Sequence, residues 1–149
     1  MKEITVLQAL DNGIYTRHSD MENGQLRYRL IGKDNSSYIR TEAHENCWEN
    51  GHFHEFCHEM YILQSGTAFV CELKNDELSV QKLSAGDSVE IMPNVEHNIY
   101  MCANAIMHTV KFGNCVENDW NESKKIQALT HKLSLGELNN LGENTNLRR

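Results

Sequence analysis

The chain has 149 residues, 21 Asp and Glu against 14 Lys and Arg, and a formal charge of -7 at neutral pH. That length suits one domain around a single core, and an acidic chain without a basic stripe speaks against nucleic acid or an anionic membrane surface as partner. No apolar run approaches the ~20 residues needed to span a bilayer, and the Met-Lys-Glu-Ile start lacks a leader's long apolar segment, so a cytoplasmic protein handling small solutes is expected.

Residues 1–24 carry an apolar start, Ile4-Thr-Val-Leu, followed by turn signals at Asp11-Asn12-Gly13 and Glu22-Asn23-Gly24. They read as an arm ahead of the main domain. Gln25 to Ile31 and Ser37 to Ala43 read as strands around the polar turn Gly32-Lys-Asp-Asn-Ser. Arg27 and Arg29 share one face of the first strand and Arg40 sits on the second; an arginine lining a polar pocket grips carboxylate or phosphate in a two-pronged fashion, whereas one on an outer face is simply solvated. Trp48 lies in the polar loop His44 to Asn50, where it either stacks on a ligand or caps the end of the domain.

Three histidines then fall within seven residues, Gly51-His-Phe-His-Glu-Phe-Cys-His58. On an extended strand, positions i and i+2 share a face, so His52 and His54 present two imidazoles to one side. Glu59 opens the apolar run Met60 to Leu63, which stops at Ser65-Gly66, and a carboxylate there can meet both rings. His58 points away from Glu59 on the same strand. Thr67 to Leu73 and Leu78 to Leu83 bracket Lys74-Asn75-Asp76, a hairpin signal, and Val89 to Met92, His97 to Cys102 and Ala105 to Phe112 follow as further short strands. His97 can complete the set: three imidazoles and one carboxylate suit Fe, Mn, Co, Ni or Zn.

These two blocks resemble the paired signature motifs of the cupin superfamily. In the first, His52, His54, Glu59 and Gly66 take the motif positions and Asn46 stands at the leading glycine. In the second, Gly86 and His97 match, while Met92 with Pro93 one place late, Asn94 and Met101 replace the motif's proline, inner glycine and final asparagine. The resemblance covers roughly residues 37–112. It implies an all-β jelly-roll barrel, the cupin double-stranded β-helix, in which His52, His54, Glu59 and His97 hold one divalent metal ion beside a small-molecule ligand; homodimers are a habit of such proteins. A metalloenzyme, for instance an isomerase, epimerase or dioxygenase acting on a sugar derivative or organic acid, is the first functional expectation. A non-catalytic binding module and a metal-free sugar-nucleotide isomerase are the alternatives.

Tyr61 shares the inward face with Glu59 and is a candidate catalytic acid, base or donor, or ordinary barrel packing. His108 alternates with Ile106, Val110 and Phe112, so an inward apolar face there makes it a second catalytic candidate; a satisfied core imidazole is its other reading. The five cysteines form no Cys-x-x-Cys pair and fit reduced thiols, with Cys57 alone placed to touch the site. The barrel is expected over roughly residues 25–112. A C-terminal helix follows over roughly 119–135, started by a capping-box-like pair, Asp119 and Glu122, and stopped at Gly136, with a mobile asparagine-rich tail over 139–149.

Overall fold

The computed structural model describes residues 5–146. Among the described residues the arm opens on a helix. Thr5 and Gln8 form a reciprocal cap, with the Gln8 amide N–H donating to Thr5 Oγ1 and the Gln8 side chain accepting from the Thr5 N–H, and this launches α1 (Val6–Asp11). Ile4 lies outside the described residues. Next come β1 (Tyr15–Thr16) and β2 (Ser19–Asp20), which both pair with β3 (Gln25–Ile31), so the arm covers the chain's own sheet.

The body of the fold continues through β4 (Ser37–Ala43), β5 (Cys47–Trp48), β6 (His52–Phe53), β7 (Cys57–Ser65), β8 (Thr67–Lys74), β9 (Glu77–Ser84), β10 (Ser88–Ile91), β11 (Glu96–Met101), β12 (Ile106–Gly113) and β13 (Asn121–Glu122). One antiparallel sheet runs β1-β3-β4-β12-β7-β10, with β2 also on β3. The other runs β13-β6-β11-β8-β9, with β5 also on β11. From β4 to β12 the chain changes sheet at six connections, between β4 and β5, β6 and β7, β7 and β8, β9 and β10, β10 and β11, and β11 and β12. That winding makes a jelly-roll barrel. The turns that permit it are chemically cheap: Asn75 and Asp76 take φ of 51° and 64° in the two-residue β8–β9 hairpin, and Asn94 takes φ of 63° where the motif has glycine.

The interior between the sheets is apolar, with Leu63, Val70, Leu83, Ile99, Met101 and Met107 fully buried. The second sheet is buried on its outer face as well. There Phe69, Cys71, Leu73 and Val80 pack against Ile126 of α2 (Lys124–Thr130) and Leu138 of α3 (Leu135–Asn146), which is why β8 reads as a nearly continuous apolar run.

The C-terminal helix therefore differs from the expectation of one element over 119–135. Asp119 does not cap it; Ser123 does, its hydroxyl accepting from the Ile126 N–H. The helix ends at Thr130, and Gly136 lies inside α3 rather than stopping a helix. Ser134 and Glu137 cap each other reciprocally at the start of α3, and Leu138 anchors it in the core. The expected mobile tail over 139–149 is thus helical through Asn146; residues 147–149 lie outside the described ones. No helix among the described residues is long and apolar enough to cross a membrane.

Gly51 sets how closely α2 docks. A Cβ there would meet Ile126 Cγ2 at 2.7 Å and two backbone atoms, Gln127 N and Ser123 O, at 2.9 Å. Gly51→Ala is therefore expected to push α2 off the β6 end and cost about 2 kcal/mol, as overpacking does. Thermal unfolding checks it; a variant as stable as the parent contradicts the close approach.

Candidate metal centre

His52 and His54 stand at β6, His97 on β11 directly opposite His52 in the ladder, and Glu59 on β7 of the other sheet. The side chains are all buried, Glu59 at 3% and His97 at 0% exposure, and their donor atoms all lie within 4.8 Å of one another. Glu59 Oε2 is 3.0 Å from His54 Nε2, 3.0 Å from His97 Nε2 and 3.8 Å from His52 Nε2. Donors bound to one ion at about 2.1 Å sit roughly 3.0 Å apart when adjacent and roughly 4.2 Å when opposite. The two 3.0 Å distances equal the adjacent spacing, and the 3.8 Å distance falls between the two.

Tautomers supply a second test of fit. Each Nδ1–H donates to a backbone carbonyl: His52 to Asn50 at 2.7 Å, His97 to Val95 at 2.9 Å, and His54 to Asp119. A carbonyl only accepts, so these bonds put the proton of a neutral ring on Nδ1 and leave Nε2 as a lone pair. Three lone pairs then face an anionic oxygen. Protonating the rings would relieve the repulsion, but burial holds His52 below the ordinary imidazole value, outweighing the opposing pull of Glu59. A divalent cation relieves it without that cost, and the pinned Nδ1 groups are the outer partners that orient metal-binding histidines. Burial alone would raise the Glu59 carboxyl, but Lys111 and the three histidines outweigh it and hold the group well below the usual carboxylate range.

Sequence reasoning missed several residues around this centre. Lys111 is the cross-strand neighbour of Glu59, and its Nζ lies 3.5 Å from Glu59 Oε1, leaving Oε2 for the histidine side. Trp120 stacks on His52, ring centroids 5.4 Å apart. Asp119 accepts from the backbone N–H groups of Glu55, Phe56 and Cys57 while its own carbonyl holds His54. Asn94 ties the second motif to the first, its N–H donating to the His54 carbonyl at 2.7 Å.

A cavity of about 740 Å³ opens beside the donors, walled by the inner faces of β3, β4, β12 and β7 and bordered by residues 115–120. Tyr61 lines it at 2% exposure, its hydroxyl 3.2 Å from His97 Nε2. Burial, then the neighbouring Glu59 and Glu49, push its phenol well above the ordinary value, so it keeps its proton at neutral pH. Arg27 and Arg29 also face the cavity, and Arg27 pairs with Glu49 at 2.8 Å.

The expectation that His108 lines this cavity is corrected. Thr109 and Lys111 face inward beside Tyr61 and Glu59, so His108 is on the outer face, bonded to the Tyr38 hydroxyl and to Gln64 Oε1 at 2.7 Å each. The outer stripe is half-buried and apolar enough to mimic a core face. Arg40 also sits outside, paired with Glu42. His58 bonds Glu90 Oε1 at 2.7 Å and stacks on Phe112, apart from the four donors. Cys57 lines the cavity but its thiol is pushed up to about 12 by burial, and all five cysteines are free. Trp48 packs on Tyr100 and His131 on the far side of the second sheet.

No protein-family model and no curated protein matches the sequence. Among solved structures the chain is similar to several of oxalate decarboxylase from Bacillus subtilis. One, from a study of that enzyme's Mn(II) centres, shares 15% identity and a TM-score of 0.58 over 85% of this chain and 38% of that one. A two-residue deletion mutant gives 15% and 0.61 over 85% and 37%, and the enzyme at pH 4.6 gives 15% and 0.59 over the same shares. The chain has the cupin fold. The chain spans less than two fifths of the length of those enzymes. That cluster, His52, His54, Glu59 and His97, suits a single divalent transition metal ion.

Proposed function

We propose that this cupin is a metalloenzyme that holds one divalent ion, Fe, Mn, Zn, Ni or Co, on His52, His54, Glu59 and His97 and acts on a small polar metabolite, a sugar derivative or organic acid. One observation carries the reading: three imidazoles with Nδ1 pinned to backbone carbonyls aim their Nε2 lone pairs at one carboxylate oxygen beside a solvent-reachable cavity. The Mn(II) of the similar decarboxylase agrees with such a donor set. When bound, the ion supplies Lewis acidity, or oxygen activation if it is iron. The chain's own groups do the rest. Tyr61, protonated and 3.2 Å from a ligand nitrogen, is the proposed catalytic donor toward a substrate oxygen held at the centre. Lys111 keeps Glu59 ionised and occupies one of its oxygens, Oε1.

Elemental analysis of the purified protein beside a His52→Ala, His54→Ala variant tests this. One ion per chain, absent from a folded variant, is the expected result. No metal in either, even after reconstitution with each candidate ion, would end the metalloenzyme reading.

A further inference from the structure

Five of the chain's 14 Lys and Arg line the cavity, Arg17, Arg27, Arg29, Lys33 and Lys111, against four carboxylates, Glu49, Glu59, Glu117 and Asp119. Two of them have carboxylate partners, Arg27 on Glu49 and Lys111 on Glu59. Among the described residues, Arg17, Arg29 and Lys33 form no ion pair, although Glu117 and Asp119 also border the cavity; Asp119 is engaged by three backbone N–H groups. Arg29 is partly buried and held by neutral groups only. Its Nη1 donates to Ser19 Oγ at 2.6 Å and to the Arg17 carbonyl at 3.4 Å, and its Nη2 meets only the Met21 thioether at 3.7 Å. The Nε–Nη2 edge, the one that matches an oxyanion in a two-pronged fashion, has no oxygen acceptor among the described residues. Burial first, then Arg27 and Arg17, bring the guanidinium down to about 10. Glu49, the partner of Arg27, opposes that shift only weakly, and no carboxylate pairs with Arg29 directly among the described residues.

The register places this group relative to the metal ligands. Arg29 pairs with Ile39, Ile39 with Thr109 and Thr109 with Tyr61, three interstrand steps of about 4.8 Å, so roughly 14 Å of sheet separates the arginine from the tyrosine beside the donors. We infer that the substrate carries an oxyacid group, carboxylate or phosphate, seated on Arg29 and Arg17 at the end of the cavity away from the metal ligands, with its uncharged oxygens directed at the centre. This rests on the metal site being the reaction centre, and it makes the substrate an elongated anion rather than a neutral sugar.

The test is thermal stabilisation of the full chain by inorganic phosphate, succinate and glucose at constant ionic strength. The parent, Arg29→Gln, and the His52→Ala, His54→Ala variant are compared. Phosphate or succinate is expected to stabilise the parent saturably, glucose not, and whichever anion acts identifies the oxyacid. Arg29→Gln is expected to weaken that response about tenfold, the loss of one charge-assisted two-pronged contact, with its metal content unchanged. Should Arg29→Gln not fold, Arg17→Gln takes its place, with about a threefold weakening expected. The ligand-deleted variant is expected to keep the anion response, so a failed metal reading leaves this result standing. An undiminished response in the arginine variant, a response lost with the metal ligands, an equal response to glucose, or none to either anion overturns the inference.

Discussion

Glu59→Gln is expected to lose the metal and, separately, to weaken the metal-free fold. The substitution keeps the shape of the side chain and removes only its charge. Outer-shell changes alone cost 10–100-fold in metal affinity, so losing the only anionic ligand should cost at least ~100-fold, measured by competition with a chromophoric chelator. The second effect comes from Lys111, whose Nζ is 3.5 Å from Glu59 Oε1 and whose side chain is 20% exposed. Removing one partner of a buried pair strands the other, at a cost of about 3 kcal/mol. Urea unfolding of the metal-free protein reads it. Adding Lys111→Met to Glu59→Gln should restore most of the stability and none of the metal affinity. A single variant as stable as the parent would mean that Lys111 has no stake in Glu59.

Acid is expected to release the metal. Binding needs neutral imidazoles and an ionised carboxylate, so protons compete with the ion. Glu59 is held well below the usual carboxylate range, which leaves the histidines to set the window. The reference imidazole value is about 6.5, and burial puts His52 below it, so release should extend downward from that pH. Each imidazole that protonates takes about tenfold from the affinity per pH unit, and three together up to ~1,000-fold. The sign for folding agrees. His52 is depressed in the folded chain, so the unfolded chain binds the extra proton first and the metal-free protein loses stability as pH falls below 6.5; Glu59, also depressed, adds its loss only below about 4.5. Metal retention unchanged down to about pH 5, followed by equilibrium dialysis, would contradict a three-imidazole site.

The four clustered donors were legible because they obey two rules that need no tertiary information. His-x-His places two rings on one strand face, and the glycine and asparagine turns around positions 66, 86 and 94 return the chain to the same sheet, where the third histidine lies opposite the first. The strands β3 and β4 were legible for the same reason, their ends marked by turn residues at both sides.

What escaped was whatever depends on which face is inside. β12 offers two stripes: Ile106, His108, Val110 and Phe112 outside, Met107, Thr109 and Lys111 inside. Apolar content alone favours the outer stripe, because the cavity wall carries Thr109 and Lys111, the lysine beside Glu59. A polar cavity wall inverted the pattern on which the His108 expectation rested. Asp119 escaped differently. Its spacing to Glu122 imitates a helix cap, but three N–H groups from a segment more than 60 residues earlier claim its carboxylate, a long-range contact that local chemistry does not announce. The helix then starts at the next available oxygen, Ser123.

The double attachment of Asp119 has a mechanical consequence. Its carboxylate is bolted to the turn between β6 and β7, its carbonyl steers the ring of His54, and its chain neighbour Trp120 lies flat on His52. The border of the cavity and the orientation of His52 and His54 are therefore tied to the same two residues, Asp119 and Trp120. Displacing Trp120 would disturb His52 by direct contact and His54 through the neighbouring Asp119 carbonyl.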